Sequence, residues 1–232
     1  MWKNINLIEH ARPQELEGYR IVENQEYNST YSLVDDRAEH ELLEKMIEEG
    51  KPPKPIDCSV DDYLLFTPFR YPPLKDATRF GKMTERSPFY GSENIDAAFA
   101  EKAYRIEKFD SDTKAHLPNR NISFTSFKFT ANATTCLNVT QAPFDEHKSL
   151  IHDPISYDDS QDLGTQMRQS EIQACLFGSV RCSNTRNIAI FDPSIFTKNS
   201  HNKKQWSCLI GQAEITFILG REEKYTFERS AQ

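Results

Sequence analysis

Hydrophobic and polar positions change period several times along the chain. Leu42, Leu43, Met46 and Ile47 recur at helical spacing, with Asp35 and Asp36 placed to cap the N-terminus. Gly50, followed by Pro52, Pro53 and Pro55, ends that helix in a proline-rich linker. Residues 1–57 therefore read as an N-terminal helical extension, its helix expected to pack on the domain formed by residues 58–232, with an oligomer or partner-protein contact as the alternative. Tyr63-Leu64-Leu65-Phe66 is a short apolar run stopped by Pro68. Arg70-Tyr71-Pro72-Pro73 reads as an extended loop, because proline biases its predecessor away from helix.

Beyond the linker, Phe89-Tyr90 ends a short strand, Ser92 serves as an N-cap, and residues 93–106 read as a helix with Ala97, Ala98, Glu101, Tyr104 and Arg105 on one face. Alternation of Phe127, Phe129 and Ala131 with polar neighbours marks a half-buried strand over 123–131, and Leu137 and Val139 continue its β character. Asp158 and Asp159 open a further helix carrying Leu163, Met167 and Ile172. Strands follow at 174–180, 187–191, 208–219 and 224–229. Strands with a few intervening helices predict an α+β fold with a mixed β-sheet core and flanking helices, not a doubly wound parallel sheet.

Composition narrows the function. The 232 residues include 15 Phe and 9 Tyr, enough for an aromatic core, and a net charge of −7 disfavours direct nucleic-acid binding, which needs clustered excess Lys and Arg. No signal-peptide-like run opens the chain and no segment approaches the roughly 18 apolar residues of a membrane span, so a cytoplasmic, membrane-free location is expected. Five cysteines without CxxC spacing and six scattered histidines predict neither a metal site nor a disulfide framework. The four Asn-x-Ser/Thr sequences, at Asn28, Asn121, Asn132 and Asn138, read as ordinary polarity. Cys175 reads as a small buried hydrophobe, since no histidine nearby in sequence could activate it.

The chemistry-bearing residues concentrate in one region. Arg79-Phe80-Gly81, Phe89-Tyr90-Gly91-Ser92 and Ala97-Ala98-Phe99-Ala100-Glu101 place Arg79, Tyr90 and Glu101 at equal spacing, and Ser179-Val180-Arg181 follows later. An arginine, an aromatic hydroxyl, a carboxylate and a serine suit an anionic dinucleotide whose ribose develops positive charge. No Rossmann fingerprint accompanies them. Glu101 would stabilise or orient an oxocarbenium-like ribose. Arg79 would hold pyrophosphate or an attacking phosphate through its planar fork. Tyr90 could stack on nicotinamide while its hydroxyl orients the ribose or amide, and Ser179 bond a ribose hydroxyl or phosphate, with Tyr71, Arg70 and Arg181 as further substrate-binding candidates. Taken singly, each is more commonly a surface charge, a core aromatic or a turn residue.

Together these residues resemble the RES domain family, named for its Arg, Glu and Ser, the toxin half of Xre-RES toxin–antitoxin systems. Arg79, Glu101 and Ser179 stand for the three. The helix at 161–168 and Asn187-Ile188-Ala189-Ile190-Phe191 recur in the family's order, and the likeness covers residues 62–196. The resemblance implies an ADP-ribosyltransferase-like fold and an enzyme that consumes NAD as substrate without a metal. Such an enzyme cleaves the nicotinamide–ribose bond with water or inorganic phosphate as acceptor and is blocked by an Xre-type helix-turn-helix antitoxin. Two other readings compete: a protein ADP-ribosyltransferase on the same site, and a non-catalytic nucleotide- or protein-binding module. Phe80, where many relatives have Trp, and Cys182-Ser183-Asn184-Thr185, where many have Gly-Gly, depart from the pattern at what is expected to be the cleft rim.

Overall fold

The computed structural model describes residues 2, 5–24, 30, 33–71, 77–113 and 117–229. Its strands are β1 (Arg12–Glu23), β2 (Phe89–Ser92), β3 (Arg120–Asn138), β4 (Ala174–Gly178), β5 (Arg186–Ile190), β6 (His201–Ile210), β7 (Glu214–Leu219) and β8 (Glu223–Glu228). The helices are α1 (Leu7–His10), α2 (Arg37–Glu49), α3 (Tyr63–Arg70), α4 (Ile95–Asp112), α5 (Lys148–Ile151) and α6 (Asp158–Gln169). All eight strands join one mixed sheet in the order β1-β2-β5-β4-β3-β6-β7-β8, and β1 also pairs with β3. Among the described residues only the β3–β4 ladder is parallel. The fold is α+β, as the element order predicts.

The largest departure from the sequence reading lies at the N-terminus. Where a helical extension is expected, β1 runs antiparallel to β3 from Arg12↔Cys136 to Glu23↔Phe124, and Leu16 and Ile21 enter the core. Its charged outer positions hide the β period. Helix α2 does form, capped by the Asp36 side chain accepting from the Glu39 N–H, and it ends at Gly50. Its expected packing does not: Leu42 and Met46 are 59% and 60% exposed, and His40 is the helix's buried residue. The run around Tyr63 is helical through Pro68, and α3 ends two residues beyond it, at Arg70. The expected strand over 208–219 is a hairpin, β6 to β7, with residues 211–213 at its turn.

Phe129 governs how the sheet closes. A Cβ added at Gly91 would lie 2.3 Å from the Phe129 ring, and one at Gly18 would lie 2.7 Å from it. Only glycine at both positions lets β1 and β2 meet over that ring, at the single pair Tyr19↔Ser92. The pairings then run β1–β3–β4–β5–β2 and back to β1, closing a circuit. Helix α4, capped by Asn94 and not by Ser92, is fixed on the other half of the sheet by Phe99. That ring stacks on Tyr225 at 4.1 Å and meets Trp206 edge-on at 4.7 Å.

Gly91→Ala should lower stability by about 1–3 kcal/mol, because a fully buried ring must move to admit the methyl group. Thermal denaturation checks this. Gly50→Ala, whose Cβ would meet its neighbours at an ordinary 3.5 Å, should leave the midpoint nearly in place.

Candidate active site

Four elements converge on Glu101. Phe99 fastens one side of α4 to the sheet, which turns Glu101 toward a cleft of about 480 Å3 bounded by β1, β2, α4 and the turn after β4. One carboxylate oxygen, Oε1, accepts from Ser179 Oγ at 2.8 Å and from Asn187 Nδ2 at 2.7 Å. Both donors are themselves held. Ser179 Oγ accepts from the Arg181 and Cys182 N–H groups, and Asn187 Oδ1 accepts from Ser92 Oγ at 2.6 Å. Two fixed neutral donors leave the carboxylate one orientation and keep its charge unpaired. Its second oxygen, Oε2, makes no hydrogen bond among the described residues.

Arg79 reaches the same cleft from the 78–81 turn. Its Nη1 donates to the Ile151 and Asp153 carbonyls at 2.8 and 3.0 Å, and its guanidinium lies 4.7 Å from the Tyr157 ring centre. Burial lowers its pKa, partly opposed by Tyr157 and Glu101. Tyr90 lines the cleft, while its hydroxyl is committed elsewhere. The hydroxyl accepts from the Phe80 N–H at 2.9 Å and donates to Thr78 Oγ1 at 3.0 Å, tying down the turn that carries Arg79. Helix α6 grips that turn from behind. Arg168 donates to the Phe80 carbonyl at 2.7 Å, Gln161 donates to the Thr78 carbonyl at 3.3 Å, and a Cβ at Gly164 would strike the Phe80 carbonyl oxygen at 2.3 Å.

Residues 151–157 form a strap along one wall. Besides holding Arg79, the strap holds Arg181, whose guanidinium lies 3.4 Å from the Tyr104 ring centre and donates to the Pro154 carbonyl. His152 ties the strap to the end of β4: its Nε2 accepts from the Gly178 N–H at 2.8 Å, and its Nδ1 lies 3.2 Å from the Lys148 carbonyl. Accepting at Nε2 requires the neutral ring with its proton on Nδ1. Burial lowers the His152 pKa, and the Arg79 cation lowers it further.

Not every candidate gathers here. Arg79, Tyr90, Glu101 and Arg181 line the cleft, and Ser179 stands behind Glu101 as its donor. Arg70 and Tyr71 do not. Arg70 lies in the last turn of α3, paired with Glu48 at 2.9 Å and donating to the Pro52 carbonyl, because the helix continues where an extended loop is expected. Residues Pro72 and Pro73 of that expected loop lie outside the described residues. Phe80 is fully buried against Phe177 and so is no part of the rim. In the turn after β4, Asn184 takes a left-handed φ of 58°, a conformation that Asn tolerates better than most residues.

Also lining the cleft are Arg20 and Tyr19 on β1, Lys102 on α4 and Asn187 on β5, which sequence reasoning passed over, and Arg105, which it placed only on the Glu101 face of α4. Arg20 donates to the Tyr90 carbonyl at 2.6 Å and covers the Phe89 ring, and burial with Arg105 nearby brings its pKa to about 10. Lys102 is brought to about 8, by burial first and then by Arg20 and Arg105. Among the described residues no group of histidine, cysteine and carboxylate side chains could hold a metal ion.

Residues 54–210, more than half of the chain, match the RES domain. The chain belongs to the RES domain family. This family is associated with toxin-like, NAD-utilising proteins. Comparison with curated proteins returned no match. In this RES domain no helix among the described residues is long and apolar enough to cross a membrane. One signal could have found Asn187, since it opens the 187–191 segment on which the resemblance partly rests. Arg20 had none, because it sits in a segment read as an extension.

Two stability effects are expected of this RES domain. Tyr90→Phe strands the buried Phe80 N–H and should cost about 1–3 kcal/mol in chemical denaturation. The His152 effect depends on pH. The folded state holds the ring neutral, with a pKa below the ordinary 6.5, so the unfolded chain binds more protons just below that pH. Stability should be full above pH 6.5 and fall as pH drops through the folded value. Thermal midpoints across pH 5–8, compared with His152→Gln, should show a smaller acid loss in the variant.

Proposed function

We propose that this RES domain cleaves the nicotinamide–ribose bond of NAD, with water or inorganic phosphate as acceptor, and that it acts as the toxin of a toxin–antitoxin pair. The observation that carries this reading is a carboxylate held by neutral donors in a cleft otherwise rich in cations. Nicotinamide leaves as a neutral base, taking the bonding pair, so the barrier lies in the positive charge developing on the ribose. Glu101 offers that ribose an unquenched negative charge, through direct attraction or through hydrogen bonds to its hydroxyls. The remaining N–H groups of Arg79 suit the pyrophosphate, and the Tyr90 ring offers a flat apolar face to the nicotinamide. Oxygen of water or phosphate then bonds to the anomeric carbon; water gives up a proton in doing so.

A second reading, protein ADP-ribosylation, has one observation in its favour. A neighbouring hollow of about 480 Å3 lies across the Tyr104–Arg181 pair, floored by Ala103, Ile215 and Phe227 and edged by Glu107 and Glu228. It could seat an acceptor side chain. An Xre-type helix-turn-helix antitoxin covering the cleft, and a cytoplasmic site of action, complete the proposal.

Incubation of the purified protein with NAD, with and without phosphate, followed by chromatography, should show nicotinamide release. Glu101→Gln should slow it by about 10²-fold or more. Ser179→Ala, which frees the carboxylate from one of its two donors, should have a smaller effect. Unchanged NAD, or equal loss in the Glu101 variant, overturns the proposal. Label transfer to protein from labelled NAD selects the second reading.

A further inference from the structure

The cations of the cleft fall into two groups. Arg79 and Arg181 come from the 78–81 turn and the turn after β4, and both are braced by the 151–157 strap. Arg20, Lys102 and Arg105 come from β1 and α4. The first group, beside Glu101, is sufficient for a pyrophosphate. The second has no task in the cleavage step proposed above.

That second group is built at an energetic cost. Arg20 is fixed by the Tyr90 carbonyl and the Phe89 ring, yet its Nε is buried without a partner. Lys102 Nζ lies 4.8 Å from the Phe124 ring centre, and the titratable groups that face it are Glu23 and Arg20 of β1, Arg105 of its own helix and Cys208 of β6. Neither Lys102 nor Arg105 makes a hydrogen bond among the described residues. Arg20 and Lys102, drawn partly out of water beside each other with the exposed Arg105 at their edge and one carboxylate nearby, are a poor structural device, because removing like charges from water costs free energy unless an opposite charge joins them. In the whole cleft, five cations face two carboxylates, Glu23 and Glu101, a surplus of three positive charges. A dinucleotide with a pyrophosphate and a pyridinium offsets only part of it. A phosphate monoester adds roughly two further negative charges.

We propose that Arg20, Lys102 and Arg105 form a second phosphate subsite, which takes the 2′-phosphate of a phosphorylated dinucleotide, so that the preferred substrate is NADP rather than NAD. This rests on the nucleotide-cleaving reading above and specifies its substrate. Arginine beside the adenosine ribose is a known way to admit that phosphate. The dianion forms above about pH 6, and Lys102 keeps its proton up to about pH 8. Discrimination should therefore peak between those values and decline as pH rises through 8.

The test measures dissociation constants of NADP and NAD by calorimetry on the Glu101→Gln protein, which should hold either ligand uncleaved, together with kcat/KM for both on the unaltered protein. NADP should bind about tenfold or more tightly, Lys102→Met should reduce that ratio by about tenfold, and Lys102→Arg should restore it. The ratio compares two ligands on one protein, so a merely weakened fold cannot mimic its loss; thermal melts check that each variant is folded. Equal binding of the two dinucleotides, or a ratio unmoved by Lys102→Met, overturns the subsite and leaves the NAD reading standing. Binding of neither overturns both. Adding free phosphate separates the sources: if it accelerates NAD cleavage and Lys102→Met abolishes that acceleration while the NADP preference is absent, the subsite belongs to the acceptor and the 2′-phosphate assignment falls.

Discussion

The cleft depends on the Phe129 ring and the two glycines that give way to it. A strand as long as β3 would ordinarily carry β1 along one edge and leave β2 elsewhere in the sheet. Because Gly18 and Gly91 present no side chain to the ring, β2 and β1 approach until Tyr19 pairs with Ser92. That contact sets the chemistry. It places Arg20 against the Tyr90 carbonyl, points Ser92 at Asn187, and thereby orients the amide that donates to Glu101. The closure is a packing event between apolar atoms, and its consequence is a polar network several residues away.

That network keeps its charges apart. Outside the cleft this protein pairs its ions in the ordinary way: Arg186 grips Glu93 through two nitrogens, Arg86 does the same with Asp57, and Arg120 and Arg229 share Asp110. Inside it, Glu101 is held by a serine and an amide, and Arg20, Arg79 and Arg181 are held by carbonyls and aromatic rings. Direct Arg–Glu pairs would be more stable here and would leave nothing for a ligand, since each would quench the other's field. Neutral clamps fix position without cancelling charge. The proposed ligand, with a cationic sugar and anionic phosphates, would supply both missing partners at once.

How far the sequence revealed this differs from residue to residue. Arg79, Tyr90 and Glu101 were legible because their neighbours have short-range signatures: a strand end, a capped helix and small residues beside the carboxylate. The role of the Tyr90 hydroxyl was not, since its partners on the 78–81 turn are set by folding and carry no pattern of their own. Strand β1 was missed because its exposed face is dense with charge, and Arg70 was misplaced because α3 runs two residues past Pro68 before it ends. Local rules found the groups that local structure presents. Arg20 and Asn187 belong to the site through pairing between distant strands, which a single sequence does not display.

The strap of residues 151–157 shows why neutrality has to be enforced as well as charge. A protonated His152 would lose the bond from Gly178 and add a cation beside Arg79, loosening at one stroke the end of β4 that carries Ser179 and the carbonyls that hold the arginine. Burial and the arginine itself oppose that protonation. Arg79 therefore helps maintain the neutral residue that secures its own anchor, and the order of the strap follows from the positive field of the cleft itself.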